Sequence, residues 1–159
     1  MILHNIDPVY DENSEVLVLG SFPSVKSRES GFFYGHPQNR FWKVTAAVFG
    51  CPVPETTAEK KRFLLGNRLA VWDVIKSCEI RGSSDASIRD IVPNDLGPLL
   101  SGSRIRRIYC NGSTSFSLYE KYLREKTGIP AEKLPSTSPA NAAWSIQRLT
   151  EAWSVLRNG

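Results

Sequence analysis

Apolar residues in this chain follow two rhythms: short unbroken runs, and stretches that repeat every three or four positions. The first run, "EVLVLGSFPS" (15–24), predicts a buried strand that ends at Gly20 and Pro23. From Arg40 the rhythm changes. In "RFWKVTAAVFG" (40–50) Phe41, Val44 and Val48, joined by Ala47, make one stripe that Gly50 stops, which predicts a helix. "ETTAEKKRFLLGN" (55–67) predicts a second helix closed by Gly66 and Asn67, and "RLAVWDVI" (68–75) a second strand. "NDLGPLLSG" (94–102) predicts a short helix with an internal Gly-Pro. "RIRRIYCNGS" (104–113) predicts a third strand that turns at Asn111-Gly112 into a helix with Phe116, Tyr119 and Leu123 on one face. "KLPSTS" (133–138) predicts a brief fourth strand broken by proline. The last helix is read from Ala142, Ile146, Leu149, Trp153 and Leu156, spaced 4, 3, 4 and 3 apart.

Four short strands alternating with helices imply a three-layer α/β domain with a mostly parallel sheet. Ligands of such sheets bind outside the carboxyl ends of the strands. The segments just past those ends are "GSFPS", "WDVIKSC", "CNGSTS" and "STSPAN", which hold most of the unusual Ser, Asn and Pro residues. The stretch "FFYGHPQNRFW" (32–42) follows the first of them. A core segment would lack its His-Pro-Gln-Asn centre, and a surface loop would not expose so much ring area. The mixture suits a pocket wall, where rings stack on a flat ligand and a few polar groups orient it.

Composition narrows the classes. At 159 residues the chain is expected to form one domain, and its net charge of +4 fits a polyanion partner only if the charge gathers on one face. "MILHNIDPVYDENSEV" has no charged leader, and no run reaches the ~18 apolar residues of a membrane span, so a cytoplasmic, nucleoid-associated protein without membrane contact is expected. Cys51, Cys78 and Cys110 are odd in number and lack C-x-x-C spacing, which favours buried reduced thiols over disulfides or a metal site. "GSFPS" has one glycine where a dinucleotide fingerprint needs three, and neither G-K-S/T nor G-x-S-x-G occurs.

Several residues carry two readings. His36 either bonds a backbone group or meets a ligand, and His4, in the N-terminal arm, is expected to be solvated or to cap. Asp73 either meets the edge of a flat ligand or caps a strand end; Asn39 either acts on that ligand or caps the helix that starts at Arg40. Lys26, Arg28, Arg40 and Lys43 flank the loops as phosphate partners or solvated charges. "LPSTSPAN" can lay amides and hydroxyls on phosphates, and can also be a helix cap with Pro139 in the first turn. Trp144 is read as a side-packing ring or a contact to the partner, and Phe41, Trp42 and Trp153 as core.

Taken in order, "VLGSFPS", "FYGHPQNRFW" and "LPSTSPAN" resemble the uracil-DNA glycosylase superfamily, and with "LAVWDVIKSCEIRGSSDASI" most of all its hypoxanthine-DNA glycosylase branch. The resemblance runs from about Val16 to the final helix. It implies an α/β/α sandwich with a four-stranded parallel sheet. It also implies a monomer that flips a deaminated base, most of all hypoxanthine, out of double-stranded DNA and hydrolyses the N-glycosidic bond without metal or cofactor. The mismatch-specific branch has a water-orienting Asn where Phe22 stands here; a phenyl ring cannot hold water, so that role is empty or has moved, and the resemblance to the hypoxanthine branch implies Asn39 for it, through its carbonyl oxygen. The resemblance places Ser21, Phe22, Pro23, Ser24, Phe33, Tyr34, His36, Asp73 and Asn111 around the base, with Phe33 or Tyr34 stacking on it. Ser136, Ser138, Pro139, Asn141, Lys26, Arg28 and Arg40 are expected on the DNA backbone. A mismatch-directed uracil or thymine glycosylase, a lesion-binding protein that does not cut, and a nucleotide-binding α/β domain stay open as alternatives.

Overall fold

The computed structural model describes residues 1–157. In chain order it contains β1 (Ile2–Leu3), β2 (Val16–Gly20), α1 (Val25–Ser30), α2 (Phe41–Phe49), α3 (Thr57–Gly66), β3 (Leu69–Asp73), β4 (Ile75–Glu79), β5 (Arg89–Pro93), α4 (Gly97–Ser101), β6 (Arg107–Asn111), α5 (Ser113–Tyr122), α6 (Arg124–Thr127), β7 (Ala131–Leu134) and α7 (Ile146–Trp153). Among the described residues no helix is long and apolar enough to cross a membrane.

Period-two alternation along β2 builds the layers. Val16 and Val18 face one core with Leu69, Val71, Tyr109 and the apolar sides of α2, α3 and α7. Leu17 and Leu19 face the other with Ala70, Ile108, Cys110 and residues of α4 and α5. The strands run parallel in the order β3-β2-β6-β7, so the expected α/β/α sandwich with a four-stranded parallel sheet is the fold. Parallel pairing puts the ends of β2, β3 and β6 side by side, Gly20 opposite Asp73 and Asn111 ending the neighbouring strand.

The local chemistry explains the helix boundaries. Thr56 and Glu59 cap α3 reciprocally, Thr56 Oγ1 accepting from Glu59 N–H at 3.1 Å and Glu59 Oε1 from Thr56 N–H at 3.0 Å. Gly50 closes α2 in the left-handed region at φ 65°.

Four expectations change. Ala47 points outward, and Thr45 and Ala46 complete the buried side of α2 instead. The run 68–75 is not one strand: β3 stops at Asp73, and Ile75 opens β4 of a separate antiparallel sheet, β1-β4-β5, whose short half-polar strands give no alternation to read. The fourth strand lies earlier, at 131–134, because Pro135 has no N–H to continue the ladder; residues 135–138 become a loop. The final helix begins at Ile146, where the Ser145 hydroxyl accepts Arg148 N–H at 3.1 Å, leaving Ala142 in the loop and Ile146 exposed. Phe41, Trp42 and Trp153 are core, as expected.

All three cysteines are free thiols. Burial pushes the Cys110 thiol up to about 12 and raises Cys78 as well. In the folded protein a thiol reagent at mild alkaline pH should therefore label half-buried Cys51 first, with Cys78 and Cys110 following only on unfolding; counting modified thiols with and without urea checks this. Trp153 is sealed in the core, and its indole N–H donates to Pro135 O at 2.9 Å, fixing the loop after β7. Trp153→Phe should lower stability by roughly 1–3 kcal/mol through the unpaired carbonyl. A urea midpoint that falls while the slope stays constant would show it.

Candidate active site

The carboxyl ends of β2, β3 and β6, with the loops after them, enclose a cavity of about 340 Å³. Its walls include Ser21, Phe22, Pro23, Ser24, Phe33, Tyr34, His36, Asn39, Asp73, Asn111, Ser136, Ser138 and Pro139, all singled out from the sequence, together with Gly20, Ser27, Ser83, Thr137 and Ala140. Asn141, Lys26, Arg28 and Arg40 do not line it.

Serine bonds fold the two loops of the first wall together. Ser24 Oγ caps α1 by accepting Ser27 N–H at 3.1 Å, and buried Ser27 Oγ accepts Gly35 N–H at 2.9 Å. Phe22, Phe33 and Tyr34 form the aromatic side. Tyr34 stacks on Phe41 with ring centroids 4.1 Å apart and sits at φ 51°, a costly conformation for a bulky residue. Its hydroxyl is buried and meets no partner in hydrogen-bond geometry; Asn111, which uses one Nδ2–H on Thr137 Oγ1, lies close enough to favour the phenolate. Burial, and then the charge of Asp73, push the Tyr34 phenol well above the usual tyrosine range, so it stays a neutral donor. Gly20 is required here, because a Cβ would overlap Asp73 Oδ1 and lie 3.2 Å from Tyr34 Oη.

The second wall is a chain of amides. Thr137 N–H donates to Asn111 Oδ1 at 3.0 Å, Asn111 Nδ2 donates to Thr137 Oγ1 at 3.0 Å, and Thr137 Oγ1 donates to Asn39 Oδ1 at 2.9 Å. Asn39 Oδ1 also accepts Phe41 N–H, the first amide of α2, at 2.9 Å, from the position before the N-cap, which is Arg40. Two donors on the oxygen fix the amide's orientation and leave Nδ2 as the group open to the pocket. His36 Nδ1 accepts Gln38 N–H at 3.1 Å, which leaves Nε2–H as its donor.

Arg40 is a clamp. Its guanidinium donates to Trp144 O, to Ser138 O at 2.9 Å and to Asn141 O at 3.0 Å, drawing residues 138–144 into a closed loop. Arg28 donates to Gly82 O at 2.8 Å and lies over the Phe22 ring, while Lys26 is exposed beside Glu29. Lys43 is exposed on α2. The hydroxyl oxygens of Ser136 and Ser138 accept backbone N–H groups within the loop, and each keeps its own O–H as a donor. Trp144 packs half-buried under the Arg148 guanidinium, 4.0 Å from the ring centre.

Sequence reasoning missed Thr137 and misread His4. Thr137 hides in "STS", where nothing distinguishes the central residue from its neighbours. His4 is neither solvated nor a cap: its side chain is 3% exposed, and Nε2 lies 2.7 Å from Asp73 Oδ2. The two are 69 positions apart, so only the pairing of β1 with β4 brings them together. Among the described residues no three or more His, Cys, Asp or Glu side chains are placed to hold a metal ion.

Comparison with known proteins bears on the family and the fold. The family model described as the Uracil DNA glycosylase superfamily matches residues 8–157. A Methanosarcina acetivorans protein named hypoxanthine DNA glycosylase is 36% identical over 159 residues, covering 99% of this chain and 100% of that protein. A protein of the same name from Methanosarcina barkeri is 32% identical over 149 residues, 92% of each chain. The solution NMR structure of a candidate uracil DNA glycosylase from M. acetivorans has a TM-score of 0.84 and 35% identity, covering 99% of this chain and 98% of that one. The chain belongs to the uracil DNA glycosylase superfamily and, with it, to the hydrolases that cleave the N-glycosidic bond of a base in DNA.

Proposed function

We propose that this chain is a one-domain, monomeric glycosylase that removes hypoxanthine from double-stranded DNA containing deoxyinosine, without metal or cofactor. The observation that carries the reading is the meeting of the Asp73 carboxylate and the unbonded Tyr34 hydroxyl over Gly20, inside the cavity. Deamination of adenine turns ring N1 from an acceptor into an N–H donor and the C6 amino group into a carbonyl. A carboxylate accepts that N–H and a phenol donates to that carbonyl, whereas adenine would set lone pair against lone pair and donor against donor. The pair suits any such lactam, uracil included. Preference for hypoxanthine rests on the names of the two Methanosarcina relatives and on Phe22 in place of a water-holding side chain.

A flipped base would lie against the Phe22, Phe33 and Tyr34 wall, a stacking contribution of roughly 1–3 kcal/mol. Bond breaking leaves positive charge on the sugar and negative charge on the base, so positioned donors and exclusion of water supply most of the catalysis. Asn39 is the catalytic residue in this reading, but through the other end of its amide. With Oδ1 engaged by Phe41 N–H and the Thr137 hydroxyl, Nδ2–H holds the oxygen of the attacking water, whose second lone pair is free for the sugar carbon. Phosphates would meet Ser136, Ser138 and Asn141 on the loop that Arg40 holds, with Lys26 and Arg28 at the rim; Arg40 acts on the loop rather than on DNA.

Duplexes carrying one deoxyinosine, deoxyuridine, deoxyxanthosine or G·T site, treated with alkali after incubation, test the reading. Release should be fastest from deoxyinosine and survive a strong chelator; no release from any lesion would leave a binding protein. Affinity for undamaged duplex should fall with salt at a log–log slope of roughly −3 to −5, for about four to five neutralised phosphates. Asn39→Ala should cut single-turnover release by about 10²-fold or more while lesion affinity holds. It should also destabilise by about 1 kcal/mol through the lost bonds to Phe41 N–H and the Thr137 hydroxyl. Asn39→Asp keeps an oxygen for Phe41 and Thr137 but replaces the donor with an anion, so it should melt near wild type and release slowly. Near-full activity of Asn39→Asp would return the role to an acceptor.

A further inference from the structure

The N-terminal arm enters the pocket region, and the proposed reaction assigns it nothing. β1 pairs antiparallel with β4, His4 N–H donates to Lys76 O at 2.8 Å, and the Trp72 indole donates to Ile6 O at 3.3 Å. These bonds hold the His4 ring in an aromatic box, about 6 Å from Phe22, Phe33 and Trp72 by ring centres of 6.0, 6.1 and 6.2 Å. The tautomer follows from its neighbours: Nδ1 accepts Ile6 N–H at 3.2 Å, so the proton sits on Nε2 and is donated to Asp73 Oδ2. Both side chains are nearly sealed from solvent, at 3% and 5% exposure. One carboxylate oxygen is thereby committed to the arm, and the other, Oδ1, is turned over Gly20 beside Tyr34 Oη.

We propose that His4 is a positioning residue that fixes Asp73 so that Oδ1 alone faces the base as an acceptor for the N–H created by deamination. The inference rests on the base-reading role given to Asp73 above. A carboxylate without the His4 donor has two equivalent oxygens, an unpaired buried one, and freedom to rotate away from the base. A neutral imidazole donor fixes one oxygen and leaves the carboxylate a pure acceptor. The arm is therefore part of the selection of the base, although it lines no wall of the cavity.

The test is a double-mutant cycle read by single-turnover hypoxanthine release at increasing enzyme concentration, with a thermal melt of each variant. His4→Phe keeps a ring in the box and removes the donor; His4→Leu is a second donor-less variant should the first not fold. The half-saturating concentration should rise about tenfold or more, as for loss of a charge-assisted hydrogen bond, with a smaller change in maximal rate. His4→Gln, which restores an N–H donor, should recover most of the loss. In an Asp73→Ala background His4→Phe should have no further effect, because the partner it acts through is gone. Equal losses in both backgrounds, or a folded His4→Phe with wild-type saturation, would overturn the proposal. Wild-type protein that releases no hypoxanthine would remove the glycosylase reading and this inference together, whereas active wild type with an indifferent His4 removes only the inference.

Discussion

Thr137, fully buried, ties together three segments that are far apart in sequence. Its N–H and Oγ1 engage both ends of the Asn111 amide, its O–H goes to Asn39, and its carbonyl accepts Arg40 N–H at 3.1 Å. Every group in this chain has one direction available. If the Asn39 amide turned over, its NH2 would face Phe41 N–H and the Thr137 hydroxyl's partner would be lost, leaving unpaired donors beside a fully buried Thr137. The end of β6, the start of α2 and the loop after β7 are thus held in one register, and the polarity Asn39 shows to the pocket follows from it.

Aromatic packing fixes the facing wall. The rings of residues 32–42 divide between two tasks: Phe32, Phe41 and Trp42 face the core under α2 and α7, while Phe33 and Tyr34 are core on one side and pocket on the other. Tyr34 rests on Phe41, and Phe41 in turn meets Trp153 edge-on at 5.8 Å. The wall therefore inherits the stiffness of the core, which compensates the left-handed backbone at Tyr34. A pocket meant to hold a flat base benefits, because rings already in place lose little freedom on binding.

How much of this was legible depended on how local each signal was. Buried parallel strands advertise themselves by unbroken apolar runs, so β2, β3 and β6 were readable, and the rule that ligands gather at strand ends then located the pocket. The motif residues that line the cavity could be placed because each ends such a strand, follows it directly or lies in the aromatic stretch. Contacts with no local mark were not readable. β4 and β5 are short and half-polar and pair only with each other and β1, so Val74 reads as the middle of a strand when it is a turn. Arg40 reads as a free cation until the loop carbonyls that surround it are known. His4 reads as a terminal residue because its partner, Asp73, is defined only by tertiary structure.

The placement of charge separates selection from rate. A carboxylate bonded to the base is present before and during bond breaking, so it holds the correct base without favouring its departure as an anion. Its negative charge would even oppose departure, because it repels the charge that develops on the base. Asp73, on β3 and fastened from the arm, meets this constraint if it reads the edge of the six-membered ring, remote from the N-glycosidic bond. The neutral amides of Asn39, in the loop before α2, and Asn111, at the end of β6, carry no such penalty, and a neutral donor at Asn39 can hold water near a developing cation without a competing negative charge. In the proposed reading, selection sits at the end of β3 and chemistry in the loop before α2, linked through the sheet and through Tyr34, which rests on Phe41; a change at Asp73 would then alter which base is held and a change at Asn39 how fast it leaves.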